Sequence, residues 1–172
     1  MIVSVKGMKM LTIFVLICGI NAYAQSNGGT FGFANAVGAH LTAYEAPELS
    51  IGDKVPDLEF SMVNYPSSTA KLSDFRGKLV ILDFWATWCT SCINRFPKMD
   101  SLQKLFGDKL QVILVNTKHT RDSREKVEGF FAKWKTRYPD FDLPSAVMDT
   151  IASLFFRHQF IPHYVWIDRL EK

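Results

Sequence analysis

Residues 79–92 read Leu79-Val80-Ile81-Leu82-Asp83-Phe84-Trp85-Ala86-Thr87-Trp88-Cys89-Thr90-Ser91-Cys92. A short continuous apolar run such as 79–84 is the pattern of a parallel strand buried on both faces. A lone acid, Asp83, interrupts it. Immediately afterwards two cysteines stand three residues apart, and Cys92, Phe96, Met99, Leu102 and Phe106 fall at helical spacing with Gly107 as a stop. The cysteines thus sit where a strand gives way to a helix.

That position suits dithiol chemistry. At a helix N-terminus the unpaired backbone N–H groups and the macrodipole favour a thiolate at Cys89. Such a site lowers a thiol pKa from ~8.5 into the range ~3.5–7.5. Cys92, one turn further in, is more shielded; it waits until a mixed disulfide forms and then attacks it. It then needs a proton acceptor, and Asp83, buried on the preceding strand with a raised pKa, is placed to be one. A hydrogen-bonded core acid is the alternative for Asp83. For the cysteines the alternative is half of a zinc site, but no second cysteine pair follows. His40, His119, His158 and His163 show no ligand spacing.

Upstream, Lys6 and Lys9 precede an apolar stretch, Met10 to Ile20, followed by Ala22-Tyr23-Ala24. This is the order of a secretory signal peptide cleaved after Ala24. An apolar stretch of 11 residues falls short of the roughly 20 a spanning helix needs, and Ile17 before Cys18 fits a lipoprotein signal poorly. Cleavage would lower the net charge from +3 to +1, two lysines being lost and no acid, so the basicity argues for no nucleic-acid or membrane partner. It also leaves Cys89 and Cys92 as the only thiols. One pair two residues apart is not a disulfide scaffold.

The 172 residues, 48% hydrophobic, suffice for one domain with a sizeable core. Residues 25–50, rich in Gly, Ala, Ser and Asn, read as a flexible linker, and the domain occupies 51–172. Leu58, Phe60 and Met62 alternate as in a strand, and a second strand covers 110–115. Asp122 and Glu125 form a capping pair for a helix whose Val127, Phe130, Phe131, Trp134 and Tyr138 make one apolar stripe. The charged run Lys118 to Lys126 reads as a solvated helix start. A strand at 146–148, a helix from Ile151 to His158 and a strand from His163 to Ile167 follow. Strands alternating with helices predict an α/β sheet.

The segment Val80 to Cys92 resembles the active-site segment of thioredoxins, and most of all that of the exported TlpA/ResA-like thiol-disulfide oxidoreductases. Leu72-Ser73-Asp74-Phe75-Arg76-Gly77-Lys78 matches the phrase before that branch's first core strand. Pro97 occupies the place of the family's helix-kinking proline, and Ile161-Pro162 resembles its cis-proline element. The resemblance covers about residues 51–168 and implies a thioredoxin-like α/β fold with a central mixed sheet flanked by helices. It implies a dithiol enzyme exchanging disulfides with protein substrates outside the cytoplasm, in the periplasm or beyond. Cys89 and Cys92 would form the redox-active disulfide, Asp83 would relay the proton, and Trp88, Ile161 and Pro162 would hold substrate. No organic cofactor and no metal is implied, since the cysteine pair itself carries two electrons; a membrane-borne dithiol donor would regenerate a reducing enzyme. Two departures stand out. Thr90-Ser91 lies between the cysteines, where the family commonly has a proline before the second. The chain also ends just after Asp168, where the family continues through a strand and a helix, so an exposed edge at His163–Ile167 is expected. A reading from another class is a copper-binding delivery module, with Cys89, Cys92 and a histidine holding Cu(I). A thiol peroxidase is a third, without that family's isolated peroxidatic cysteine.

Overall fold

The computed structural model describes residues 48–168. The segment read as a signal peptide, with Cys18, the part of the expected linker up to residue 47, and residues 169–172 lie outside the described residues. Six strands form one mixed sheet in the order β2-β1-β5-β4-β3-β6: β1 Glu59–Val63, β2 Thr69–Lys71, β3 Leu79–Trp85, β4 Leu110–Thr117, β5 Ser145–Asp149 and β6 His163–Ile167. Strands β3, β4 and β5 are parallel; β1, β2 and β6 run antiparallel to their neighbours. Four helices, α1 Thr90–Ile93, α2 Phe96–Phe106, α3 Arg124–Arg137 and α4 Ala152–Phe155, complete the described chain. This is the α/β arrangement expected, with β2 as a short edge strand that no sequence pattern announced. At the other edge of the described sheet lies β6, half-buried from His163 to Trp166.

Side-chain alternation along β3 divides the core. Val80, Leu82 and Phe84 enter one apolar cluster with Phe60, Met62, Ile113, Val115 and Phe155. Ile81 and Trp85 enter the other with Val112, Leu114, Cys92, Phe96, Val127 and Phe131. The first face is covered by α4 and the turn at Leu72–Phe75, the second by α1, α2 and α3. Leu49 packs against the first cluster and donates its N–H to Phe155 O at 2.9 Å, so the sequence just before Ile51 is docked there. Ile161 touches both clusters.

Three expectations are corrected. The helix read from Cys92 to Phe106 is two helices, because Pro97, at the start of α2, has no N–H to give the preceding turn and its ring excludes the carbonyl four residues back. Gly107, at φ 54°, ends α2 as expected. The cap of α3 is Ser123, whose Oγ accepts the Lys126 N–H, and not Asp122. Helix α4 is shorter than 151–158: Phe156 leaves the helical region (φ −117°, ψ 72°) and buries its ring beside Phe155.

The second face is held by rings. Phe96, fully buried, meets Trp85 edge-on at 5.1 Å, Trp134 at 5.8 Å and Phe141 stacked at 5.8 Å. Its loss would leave a void between α2 and the sheet. Phe96→Ala is expected to cost about 3–5 kcal/mol of unfolding free energy, read from the urea midpoint; a cost under about 1 kcal/mol would mean that α2 collapses onto β3 without it.

Candidate active site

Cys89 and Cys92 are joined by a disulfide with Cα atoms 5.3 Å apart. The turn that carries them follows β3 directly: Cys89 N–H donates to Ala86 O, and Ile93 N–H to Cys89 O, which starts α1. Cys89 is the N-cap residue of α1, and its Sγ accepts the Cys92 N–H at 3.3 Å. Ser91 Oγ lies 3.5 Å from the same sulfur. Cys89 keeps 6% of its surface exposed and Cys92 none. Cys89 is thus the less buried of the two cysteines and Cys92 the fully shielded one, the order expected from the sequence.

Asp83 is completely buried. Alternation places it on the face of Ile81 and Trp85, the face that α1 covers. Neither carboxylate oxygen has a hydrogen-bond partner among the described residues. Burial raises its pKa from 3.8 to about 7, and the Arg95 guanidinium offsets part of that rise. Opposite Asp83 in the β3–β6 ladder stands Tyr164. Arg95 Nη1 donates to Tyr164 Oη at 3.4 Å and stands 5.8 Å above its ring. Burial, with the Asp83 charge next, raises the Tyr164 pKa. The acid thus lies under the cysteine helix with a phenol across from it and a cation at the rim.

The Ile161–Pro162 peptide bond is cis. Pro162 leads into β6, whose first residue, His163, pairs with Phe84 near the end of β3. Trp88, 60% exposed, projects beside Cys89 and donates its indole N–H to Thr120 O at 3.0 Å; Trp85 is wholly buried and bonds Ser145 Oγ. On the far side of β3, the His158 and His163 rings stack at 4.9 Å and 8°, with Phe84 4.4 Å from His158. His158 Nδ1–H donates to Phe156 O at 2.9 Å. Burial and the neighbouring His158 lower the His163 pKa. Among the described residues no three His, Cys, Asp or Glu side chains gather as a metal site.

One residue at the site escaped the sequence reading. Asp122, placed there in a solvated run, is buried. Its carboxylate accepts Thr87 N–H at 2.8 Å, Thr87 Oγ1–H at 2.6 Å and Asn116 Nδ2–H at 2.9 Å, and pairs with Lys126 Nζ at 2.6 Å. Burial alone would raise its pKa, but the bonds from Lys126, Thr87 and Asn116 outweigh it and hold the carboxyl below its ordinary value. Asp122 ties the chain two residues before Cys89 to β4 and α3. An acid directly before a capping serine was the only local signal, and it pointed to a cap.

Two outcomes follow for these acids. The Asp83 shift stabilises the fold fully below pH ~4, where folded and unfolded chains both hold the proton. It is lost as pH rises towards about 7, a change of about 4 kcal/mol. Asp83→Asn should therefore gain on the parent by up to that amount at pH 8 and little at pH 4 in urea unfolding; parallel pH profiles would show that Asp83 does not titrate there. Asp122→Ala strands the donors of Thr87 and Asn116, costs about 2–3 kcal/mol, and should raise acrylamide quenching of the tryptophan emission as Trp88 loosens. Unchanged quenching would mean that the Trp88–Thr120 bond holds the loop alone.

The family model for Redoxin matches residues 50–155. The thioredoxin-like protein YneN of Bacillus subtilis is 37% identical over 98 residues, 56% of each chain. The thiol-disulfide oxidoreductase ResA of Geobacillus kaustophilus is 32% identical over 83 residues, 48% of this chain and 47% of that one. The chain thus spans about half the length of these relatives. A crystal structure from Chlorobium tepidum, described as a thiol:disulfide interchange protein DsbE, superposes with a TM-score of 0.54 at 30% identity, covering 69% of this chain and 77% of that one. The exposed lipoprotein thioredoxin Etrx1 of Streptococcus pneumoniae gives 0.50 at 30% identity, over 68% and 84%. With a disulfide at the end of β3, a cis-proline before β6 and these matches, the chain belongs to the Redoxin family and is a TlpA/ResA-like member of the thioredoxin superfamily.

Proposed function

We propose that this chain is a thiol-disulfide oxidoreductase that exchanges disulfides with protein substrates outside the cytoplasm. The observation that carries the reading is the asymmetry of the cysteine pair, Cys89 the less buried at the start of α1 and Cys92 fully buried, on the sheet face that also holds a buried acid with a pKa near neutrality. In the reducing direction the Cys89 thiolate attacks one sulfur of a substrate disulfide. The substrate's other sulfur leaves as a thiolate and a mixed disulfide forms. Cys92 then gives its proton to Asp83 and attacks Cys89 Sγ, releasing the second substrate thiolate and leaving the disulfide seen here. The reverse sequence oxidises a dithiol substrate.

Asp83 suits the relay because a carboxyl with a pKa of about 7 both accepts and returns a proton near neutral pH. The Cys92 N–H at Cys89 Sγ supports the attacking thiolate. Ile161 packs against the cluster that holds both cysteines, and with Trp88, next to Cys89 in the chain, and Pro162 it would supply apolar surface and backbone groups for an extended substrate segment. An extracytoplasmic setting rests on the secretory pattern of residues 1–24 and on the pneumococcal relative, described as an exposed lipoprotein. In that setting a membrane-borne dithiol donor would return the enzyme to its reduced form. No helix among the described residues is long and apolar enough to cross a membrane.

Cys92→Ser should trap a mixed disulfide between Cys89 and a substrate protein, since attack survives and resolution does not. Non-reducing gels of the reduced variant mixed with oxidised insulin read the adduct. Capture through Cys92 in the Cys89→Ser variant, and not the converse, would reverse the two roles.

A further inference from the structure

The parallel strands β3, β4 and β5 end on one side of the sheet, and β6 begins there. Three segments meet around the disulfide: residues 86–95 after β3, 117–122 after β4, and 150–163 between β5 and β6. Contacts join them: Trp88 bonds Thr120, Thr87 bonds Asp122, and Ile161 packs against the cluster that holds both cysteines. Together the three segments contain Arg95, Lys118, Arg121 and Arg157, all exposed, and a single carboxylate, Asp122. Asp122 is buried and already paired with Lys126. None of the four exposed cations forms an ion pair among the described residues; Arg95 instead bonds the phenol of Tyr164.

Most other acids are placed elsewhere, the exceptions at this end being the buried Asp149 that closes β5 and Glu125, which lines one pocket with Thr87. Asp100, Asp140 and Asp142 surround Lys104 at the opposite end. Asp57 and Glu59, at the far edge of the sheet, are committed to Ser73 and Lys71. Glu125, on the first turn of α3, sits between Arg124 and Lys126. The segments beside the reactive sulfur therefore carry an excess of exposed positive charge without ion-pair partners among the described residues. The same segments carry two exposed apolar side chains, Trp88 at 60% and Phe160 at 81% exposure.

We infer that the surface around Cys89, formed by Arg95, Lys118, Arg121 and Arg157, selects polypeptides whose cysteines are flanked by acidic residues. This deepens the oxidoreductase reading and rests on it. An apolar centre with a charged rim is the usual anatomy of a specific polypeptide contact. Like-signed rim charges raise the encounter rate of an oppositely charged partner and repel a partner of the same sign. Flexible unpaired cations on surface loops act through this long-range field, so their contribution disappears as salt screens it.

The test uses the reduced full chain and two synthetic disulfide peptides, identical around the cystine but flanked by glutamates in one and lysines in the other. A small uncharged disulfide serves as the control, and exchange is followed by stopped-flow tryptophan fluorescence. At low salt the glutamate peptide should react at least about tenfold faster than the lysine peptide. The ratio should approach one at about 1 M salt, where the Debye length is about 3 Å. Combined Lys118→Gln, Arg121→Gln and Arg157→Gln substitutions should remove the preference, and the corresponding Glu substitutions should reverse it. Equal rates at low salt, or a preference that survives in the Gln variant, would overturn the inference while exchange with the uncharged disulfide upholds the enzyme. No exchange with any of the three disulfides would overturn both.

Discussion

The register of β3 between β4 and β6 is the constraint on which everything else here depends. Its alternation sends Asp83 and Trp85 to the face under α1 and α2, and Val80, Leu82 and Phe84 to the other. Slipping by one residue would exchange the two sets: the acid would enter a wholly apolar cluster and the indole would lose Ser145. Seven pairings with β4 and five with β6 fix that register along the whole strand, from Leu79 opposite Leu110 to Trp85 opposite Asn116. Burial of both faces makes any alternative costly. The cysteine turn inherits its position from this strand and needs little of its own to be placed.

Holding Asp83 there costs stability whenever it is ionised, since no donor meets either oxygen among the described residues. Asp122 is the contrasting case on the same edge of the sheet. It is buried as well, but Thr87, Asn116 and Lys126 supply the donors that keep it ionised. Two buried aspartates near one disulfide thus have opposite characters, decided by hydrogen bonding and not by burial. The unsatisfied one stays neutral up to about pH 7; the satisfied one stays ionised and anchors the loop.

Much of this was legible in the sequence because the signals are local. The apolar run with its acid, the spacing of two cysteines and the Ile161-Pro162 pair each lie within a few residues, and each stands where expected. What the sequence concealed depends on distant partners. Thr87 and Asp122 are 35 residues apart, and nothing near Asp122 marks its target. The stack of His158 on His163 arises because a connection folds back over Phe84. Strand β2 is three residues held in place by β1, too short for any periodicity. The interruption between α1 and α2 lay within reach, since Pro97 announces it, but helical spacing alone runs straight through a proline.

The stacked histidines sit on the opposite face of β3 from Asp83, paired through the neighbouring residue, Phe84 with His163 and Asp83 with Tyr164. Burial and His158 hold His163 neutral to a lower pH than usual, while burial holds Asp83 neutral up to about pH 7. Between those limits neither His163 nor Asp83 carries a charge, and this stretch of the strand separates its two faces as an insulator. Outside them one face or the other becomes charged: the acid side in alkali, the imidazole side in acid. In that mildly acidic interval the charge of buried Asp122, held ionised by its donors, is not joined by one from Asp83 or His163.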